Sequence, residues 1–348
     1  MSTKIDKECK QSFKPMLVKT KYQIDLLHKR KSYDLTIEQK VSFQCKLRIN
    51  NDIYLSESEH ERAQRCQERH SFPLDPDTPQ NTKIDLHDNG SPFVTDWFLF
   101  FTNGQLKLTF DRIFDSLIDG IQKEGQLNFE TRLTEMINFL LEIRNEKPKM
   151  SKDKRMKNLQ EACAKLYTKG SFLFHVVNRA LRENDRSKLA SLGPYCYLVY
   201  TYIGSQLTEY FSIRHNLRRH IKSTESSLMI VYRGDSATNK KINEYWQAAG
   251  QKDKYFKWLI FVSTSLDENV AKTFARNILY EIELDRNATN DQFVHLENVS
   301  YYRDEREVLL RPGVRFRVNR VNQMKSDEKI NFVRVYITII PSYISNLI

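Results

Sequence analysis

Three short segments in the C-terminal half of the chain carry residues that could do chemistry together. They are Arg233 in Tyr232-Arg233-Gly234, the triplet Ser263-Thr264-Ser265 after Phe261-Val262, and Glu305 and Glu307 in Glu305-Arg306-Glu307-Val308-Leu309-Leu310. A planar guanidinium can grip a phosphate through paired hydrogen bonds. A hydroxyl can orient a carboxylate, and two carboxylates on one face repel unless a cation lies between them. Together these groups suit cleavage of a charged dinucleotide, in which positive charge builds on the ribose as in the oxocarbenium-like transition state of glycoside hydrolysis. Placing such groups before reaction would supply most of the catalytic power.

The local pattern says how each group is positioned. Arg233 ends an apolar strand, Leu228-Met229-Ile230-Val231-Tyr232, and Gly234 would let backbone approach a ligand closely. Ser265 with Glu268 fits a capping box for a helix that starts near Leu266, which leaves Ser263 for the site. Glu305 and Glu307 are two apart, so on an extended chain they face the same side. Taken singly, each segment also has an ordinary reading: an exposed arginine before a turn, a plain strand-to-helix turn, a charged edge strand. Their order within one small region is what sets them apart.

Upstream of these segments the pattern is helical. Leu133, Met136, Ile137, Leu140 and Leu141 form one stripe. Ser171 is placed to cap a helix with stripe Leu173, Val176, Val177, Ala180 and Leu181, and a further helix covers about 195–220. Between them, 147–158 is basic with a Pro and no apolar period, and reads as a solvated linker. After Ser226 short strands are expected at about 227–233, 257–263, 278–284, 293–297, 306–311, 314–321 and 332–340, with helices at 239–249 and 267–276. Helices followed by many strands indicate an α+β domain, and the lack of a GxGxxG motif leaves a Rossmann-type site unsupported.

The first part of the chain carries no recognised motif. Residues 1–30 read as a polar tail or short helix, and 33–55 alternate like a strand. Residues 57–67 are charged and read as helical or exposed, and Pro73, Pro76 and Pro79 mark a loop. Residues 97–102 and 106–110, around Asn103-Gly104, read as two strands about a type I′ turn.

The 348 residues allow two domains, and 40% hydrophobic content allows a real core. A net charge of +11 favours anionic partners without choosing among them. The five cysteines (Cys9, Cys45, Cys66, Cys163 and Cys196) are widely spaced with no CxxC pair, which argues against a disulfide framework or a zinc site. Cys163 and Cys196 are expected in the core. No stretch reads as a signal peptide or membrane span, so the expected setting is cytoplasmic, with a secreted effector also compatible.

At this point the chain resembles the arginine–serine–glutamate class of mono-ADP-ribosyltransferases, which includes vertebrate ecto-enzymes and the enzymatic components of clostridial binary toxins. The resemblance covers about residues 160–340 and is closest at 231–234, 261–267 and 305–316. It implies an ADP-ribosyltransferase-like fold, with two packed, mostly antiparallel sheets and a helical lobe around an NAD cleft. It implies transfer of ADP-ribose from NAD(P) to arginine side chains of a target protein, with release of nicotinamide and no metal. By position, Arg233 would hold the NAD phosphates and ribose, with Gly234 against the nicotinamide amide. Ser263 would position Glu307, and Glu307 would be the catalytic glutamate that binds the ribose 2′-hydroxyl. Glu305 would bind and help deprotonate the acceptor, and a carboxylate suits a guanidinium better than a neutral amide does. Residues 300–306 would form the loop that meets the acceptor, with Tyr301, Tyr302 and Arg303 exposed.

The expected division is a region of unassigned mixed fold and unknown function at 1–130 and a catalytic domain at 131–348. Two rivals stand beside the transferase. One is an NAD glycohydrolase using the same pocket, and the other is an inert module of the same fold that grips nucleic acid or an acidic partner. The expected partners are NAD and a protein with an exposed arginine; neither nucleic acid nor a membrane is expected.

Overall fold

The computed structural model describes residues 62–63, 65–67, 69–70, 90–103, 108–145, 151–210, 228–286, 289, 291–324 and 332–342. All of them fall in Glu57–Ile348, the second of two units into which the chain divides. The expectations for 1–30, for 33–55, for the proline loop and for the helix beyond Tyr210 lie outside the described residues. Among the described residues, no helix is long and apolar enough to cross a membrane.

Among the described residues, six helices lie between 92 and 210, after a helical stretch at 62–70 and before the first strand. They are α1 (Pro92–Thr102), α2 (Phe110–Leu127), α3 (Leu133–Asn145), α4 (Lys152–Thr168), α5 (Phe172–Glu183) and α6 (Leu189–Tyr210). The first corrects the expected hairpin. Ser91 Oγ accepts from Val94 N, Pro92 supplies a fixed φ at the first position, and Asn103 closes the helix in the left-handed region at φ 50°. An Asn-Gly pair serves a helix end as well as a type I′ turn, because both need a residue tolerant of positive φ. The expected basic linker is corrected too. Ser151 Oγ caps α4 by accepting from Lys154 N, and the lysines lie on the outer face of a helix whose buried face includes Leu159, Cys163 and Leu166. The stripes predicted for α3 and α5 hold: Met136 and Leu140 are buried on one, Leu173, Val177, Ala180 and Leu181 on the other. Cys163 and Cys196 are buried as expected. Helices α1 and α2 share this core through Phe93, Trp97, Ile113, Phe114, Leu117 and Ile121.

Among the described residues eight strands follow: β1 (Leu228–Asp235), β2 (Phe256–Trp258), β3 (Val262–Ser265), β4 (Ile278–Asp285), β5 (Phe293–His295), β6 (Glu307–Leu310), β7 (Val314–Met324) and β8 (Phe332–Ile340). Helices α7 (Asn239–Ala248) and α8 (Glu268–Thr273) lie between them. The strand expected at 257–263 is split, into β2 and β3. The described strands form one hydrogen-bonded sheet in the order β2-β7-β8-β4-β1-β3-β6-β5, where a pair of packed sheets is expected from the sequence. Among the described strands, only β4 and β8 pair in parallel. The join between β1 and β3 is a single register pair, Tyr232↔Ser265, whereas β1 pairs with β4 along all eight residues. Motif-bearing strands β1, β3 and β6 are thus consecutive neighbours in the sheet.

Candidate active site

Arg233 points to the buried face of β1, where burial alternates along the strand. Its Nε and Nη2 donate to Asp235 Oδ2 at 2.9 and 2.6 Å, and its Nη1 donates to the Ser263 carbonyl at 2.7 Å. The guanidinium is therefore locked to both β1 and β3. Gly234 is needed for a reason other than ligand approach. A Cβ there would lie 2.0 Å from the Ala271 carbonyl oxygen and 2.5 Å from Ala275 N, so the missing side chain is what lets α8 and the turn after it pack on β1.

β3 and β6 run antiparallel with Ser265 opposite Glu307 and Ser263 opposite Leu309. Ser263 and Glu307 are diagonal neighbours on one face, within reach of each other's side chains. Burial pushes the Glu307 carboxyl above its ordinary value; the Ser263 hydrogen bond works against this and the nearby Glu305 charge with it. Glu307 Oε2 is buried and has no hydrogen-bond partner among the described residues. A lone carboxylate oxygen in that position costs free energy until a cation or donor arrives.

Ser265 does not cap α8. Its Oγ donates to the Glu305 carbonyl at 2.6 Å and accepts from Asp267 N, while Asp267 takes the cap by accepting from Asn269 N. The extended geometry expected for Glu305 to Glu307 is likewise corrected. Arg303–Glu305 is a 3-10 turn, Arg306 adopts φ 44°, and β6 begins at Glu307. A left-handed turn, held by Ser265, delivers both carboxylates to one pocket lined by Tyr232, Ser263, Ser265, Phe274, Glu305 and Glu307 among others.

Tyr301 is exposed as expected, but Tyr302 is buried, with the Arg65 guanidinium stacked 4.0 Å over its ring. That arginine belongs to a stretch whose described residues, Arg62, Ala63, Arg65, Cys66, Gln67, Arg69 and His70, are helical. The sequence reads 57–67 as helical or exposed; the described residues of that range are helical, and Arg65 is buried. Arg65 Nη1 and Nη2 donate to Glu305 Oε2 and Oε1 at 3.0 and 2.7 Å, and Arg62 Nε adds a bond to Oε1 at 3.0 Å. Burial alone would raise the Glu305 carboxyl, but hydrogen bonds and charge from Arg65 and Arg62 outweigh it and hold it below the usual value. Arg69 Nη2 donates to Ser263 Oγ at 3.1 Å, and its guanidinium lies 4.1 Å over the Phe274 ring.

A second cavity, of about 170 Å³, adjoins the first at Arg69 and is lined by Arg179, Arg182, Arg233, Asn178, His175 and Phe174. Counting Arg69, four arginines line this concavity, of which Arg233 is ion-paired with Asp235 and Arg179 with Glu183. Arg179 and Arg182 sit on the polar side of α5, where periodicity alone reads as solvated surface. Asn178 is tied down at both ends: its Nδ2 donates to Tyr167 Oη at 2.8 Å and its Oδ1 accepts from Phe261 N at 3.2 Å. Arg233, Ser263, Glu305 and Glu307 are therefore brought together, with the arginine facing the larger cavity and the carboxylates the smaller.

A family model described as NAD:arginine ADP-ribosyltransferase matches residues 120–335. No curated protein sequence matches the chain. Among solved structures, Plx2a, an ADP-ribosyltransferase toxin from Paenibacillus larvae, is 16% identical over 52% of this chain and 85% of its own, with a TM-score of 0.38. The eucaryotic mono-ADP-ribosyltransferase ART2.2 is 17% identical over 65% and 86%, with a TM-score of 0.38. The type III effector XopAI from Xanthomonas axonopodis pv. citri is 13% identical over 82% and 100%, with a TM-score of 0.37.

Proposed function

Since the chain belongs to the NAD:arginine ADP-ribosyltransferase family, we propose that it transfers ADP-ribose from NAD to arginine side chains of a protein. The reading rests above all on Glu305, whose carboxylate already holds a guanidinium through two parallel hydrogen bonds. That pairing is the one an acceptor arginine would make, and a neutral amide could not match it.

The donor half follows from the neighbouring groups. The NAD pyrophosphate would sit in the arginine-lined cavity, where Arg233 is held in place by Asp235 and by the Ser263 carbonyl. Cleavage breaks the bond between the ribose C1 and the nicotinamide nitrogen; the electron pair leaves with nicotinamide, and the ribose becomes cationic. Glu307 presents a buried carboxylate oxygen without a partner among the described residues, so its interaction strengthens as that cation forms. Such a difference between ground and transition state is what accelerates the step. The acceptor guanidinium nitrogen then bonds to C1, and its proton passes to Glu305 or onward to water.

The test measures nicotinamide release from NAD with and without agmatine, together with the yield of ADP-ribosyl-agmatine. We expect adduct formed one for one with nicotinamide. Protein that binds NAD yet yields only free ADP-ribose would make it a hydrolase, and protein that yields neither product would end the reading.

A further inference from the structure

We propose that Arg62, Arg65 and Arg69 form a tethered plug, in which one helical face of the chain competes with both the acceptor and the donor for the cleft. The proposal rests on the transferase reading and adds the regulation of that site. Positions 62, 65 and 69 are spaced i, i+3 and i+7, so one helical face presents all three guanidinium groups. Arg65 occupies Glu305 as an incoming arginine would, with both carboxylate oxygens engaged. Arg69 takes the Ser263 hydroxyl at 3.1 Å and lines both cavities. With these side chains in place, the cavity beside the two carboxylates holds only about 10 Å³, room for about one water. A nicotinamide ribose cannot enter that space.

The segment is docked by more than its arginines. Cys66 Sγ donates to the Thr273 carbonyl at 3.5 Å, and His70 Nε2 lies 3.1 Å from the Phe274 carbonyl, both at the C-terminal end of α8. Arg65 and Arg69 also stack on Tyr302 and Phe274. One contact opposes this docking. Arg69 is buried near Arg233, and burial, followed by the Arg233 charge, pushes its guanidinium down to about 10. The plug is thus held by Glu305 and by aromatic faces, and loosened by repulsion at the place where an anionic pyrophosphate would bind.

Full-length protein with Arg62→Ala and Arg65→Ala, which releases the segment from Glu305 and leaves every arginine of the larger cavity in place, is titrated with NAD in a calorimeter beside the parent. We expect NAD to bind at least tenfold more tightly to the double variant, and nicotinamide release to rise by a similar factor. Equal or weaker NAD affinity overturns the plug, whatever the turnover. In the unmodified protein, saturating NAD is expected to speed amide hydrogen exchange in residues 62–70, and undiminished protection there would also reject it. Tighter NAD binding with no nicotinamide released by either protein keeps the plug and rejects the transferase reading instead.

Discussion

Arg233 and Asp235, two residues apart on β1, share a buried ion pair in which two guanidinium nitrogens converge on the single oxygen Oδ2. With Nη1 bound to the Ser263 carbonyl, three of the five N–H donors of an arginine are committed and two remain for a ligand. The pair sets the direction of the fork as well as its charge. Replacing Asp235 by Asn should leave a buried cation without its counter-charge, a loss of about 3–5 kcal/mol by the general behaviour of buried pairs. Denaturant melts should show it, and NAD affinity should fall with it. An Asp235→Asn protein of parental stability and affinity would show that the anchor is dispensable.

Glu307→Gln should lower nicotinamide release by about 10²–10³-fold, the range for loss of one preorganised stabilising group. The fold should survive. The Glu307 carboxyl titrates above its ordinary value because of burial, so the native state binds the proton more tightly than the unfolded chain does. Its burial cost is absent below the unfolded value and develops as pH rises through the folded one. The variant should therefore gain stability relative to the parent as pH rises through that window. Parental turnover in Glu307→Gln would remove the residue from the mechanism.

Ser263→Ala shifts that titration in a known direction. The Ser263 hydrogen bond opposes the effect of burial on Glu307; without it the carboxyl should titrate higher still. Since the ionised form is the one that stabilises a cation, the acid limb of the pH–rate profile should move to higher pH. A limb that stays in place would mean that the hydroxyl does not support the carboxylate.

Glu305→Gln separates acceptor from donor chemistry. Transfer to agmatine should be lost while hydrolysis of NAD persists, because water needs no carboxylate pair to hold it. The same change removes the partner of Arg62 and Arg65. Glu305 contributes stability that is present above its unfolded value and lost as pH falls through its depressed folded one. Full agmatine transfer in this variant would assign acceptor binding elsewhere.

Gly234→Ala tests packing alone. A Cβ would meet the Ala271 carbonyl at 2.0 Å, and backbone cannot swing aside as a side chain can. Destabilisation of about 1–3 kcal/mol is expected, as for other overpacked sites. A change within error in thermal unfolding would mean that α8 shifts freely.

The strands and their motif residues were legible because each motif sits at the end of an apolar run, and β8 falls on 332–340 as predicted. α1 and α4 were missed for a common reason: their signals were ambiguous in one dimension. Asn103 satisfies two kinds of turn, and the lysines of α4 hide a buried face that starts only at Leu159. Arg65 and Arg69 were illegible as site residues. They meet Glu305 and Ser263 across 240 and 194 positions of sequence, and an arginine-rich helical face reads as solvated surface until its partners are known. Asn178, Arg179 and Arg182 are equally silent in the sequence, because the legible signal of α5 is its apolar stripe.

Because Arg233, Ser263 and Glu307 stand on three neighbouring strands, alignment of those strands is what brings the candidate site together. Sliding β6 by one residue against β3 would turn Glu307 to the opposite side of the sheet. Recovery of turnover after dilution from denaturant would therefore clock the zippering of this ladder, with no partly competent species before it.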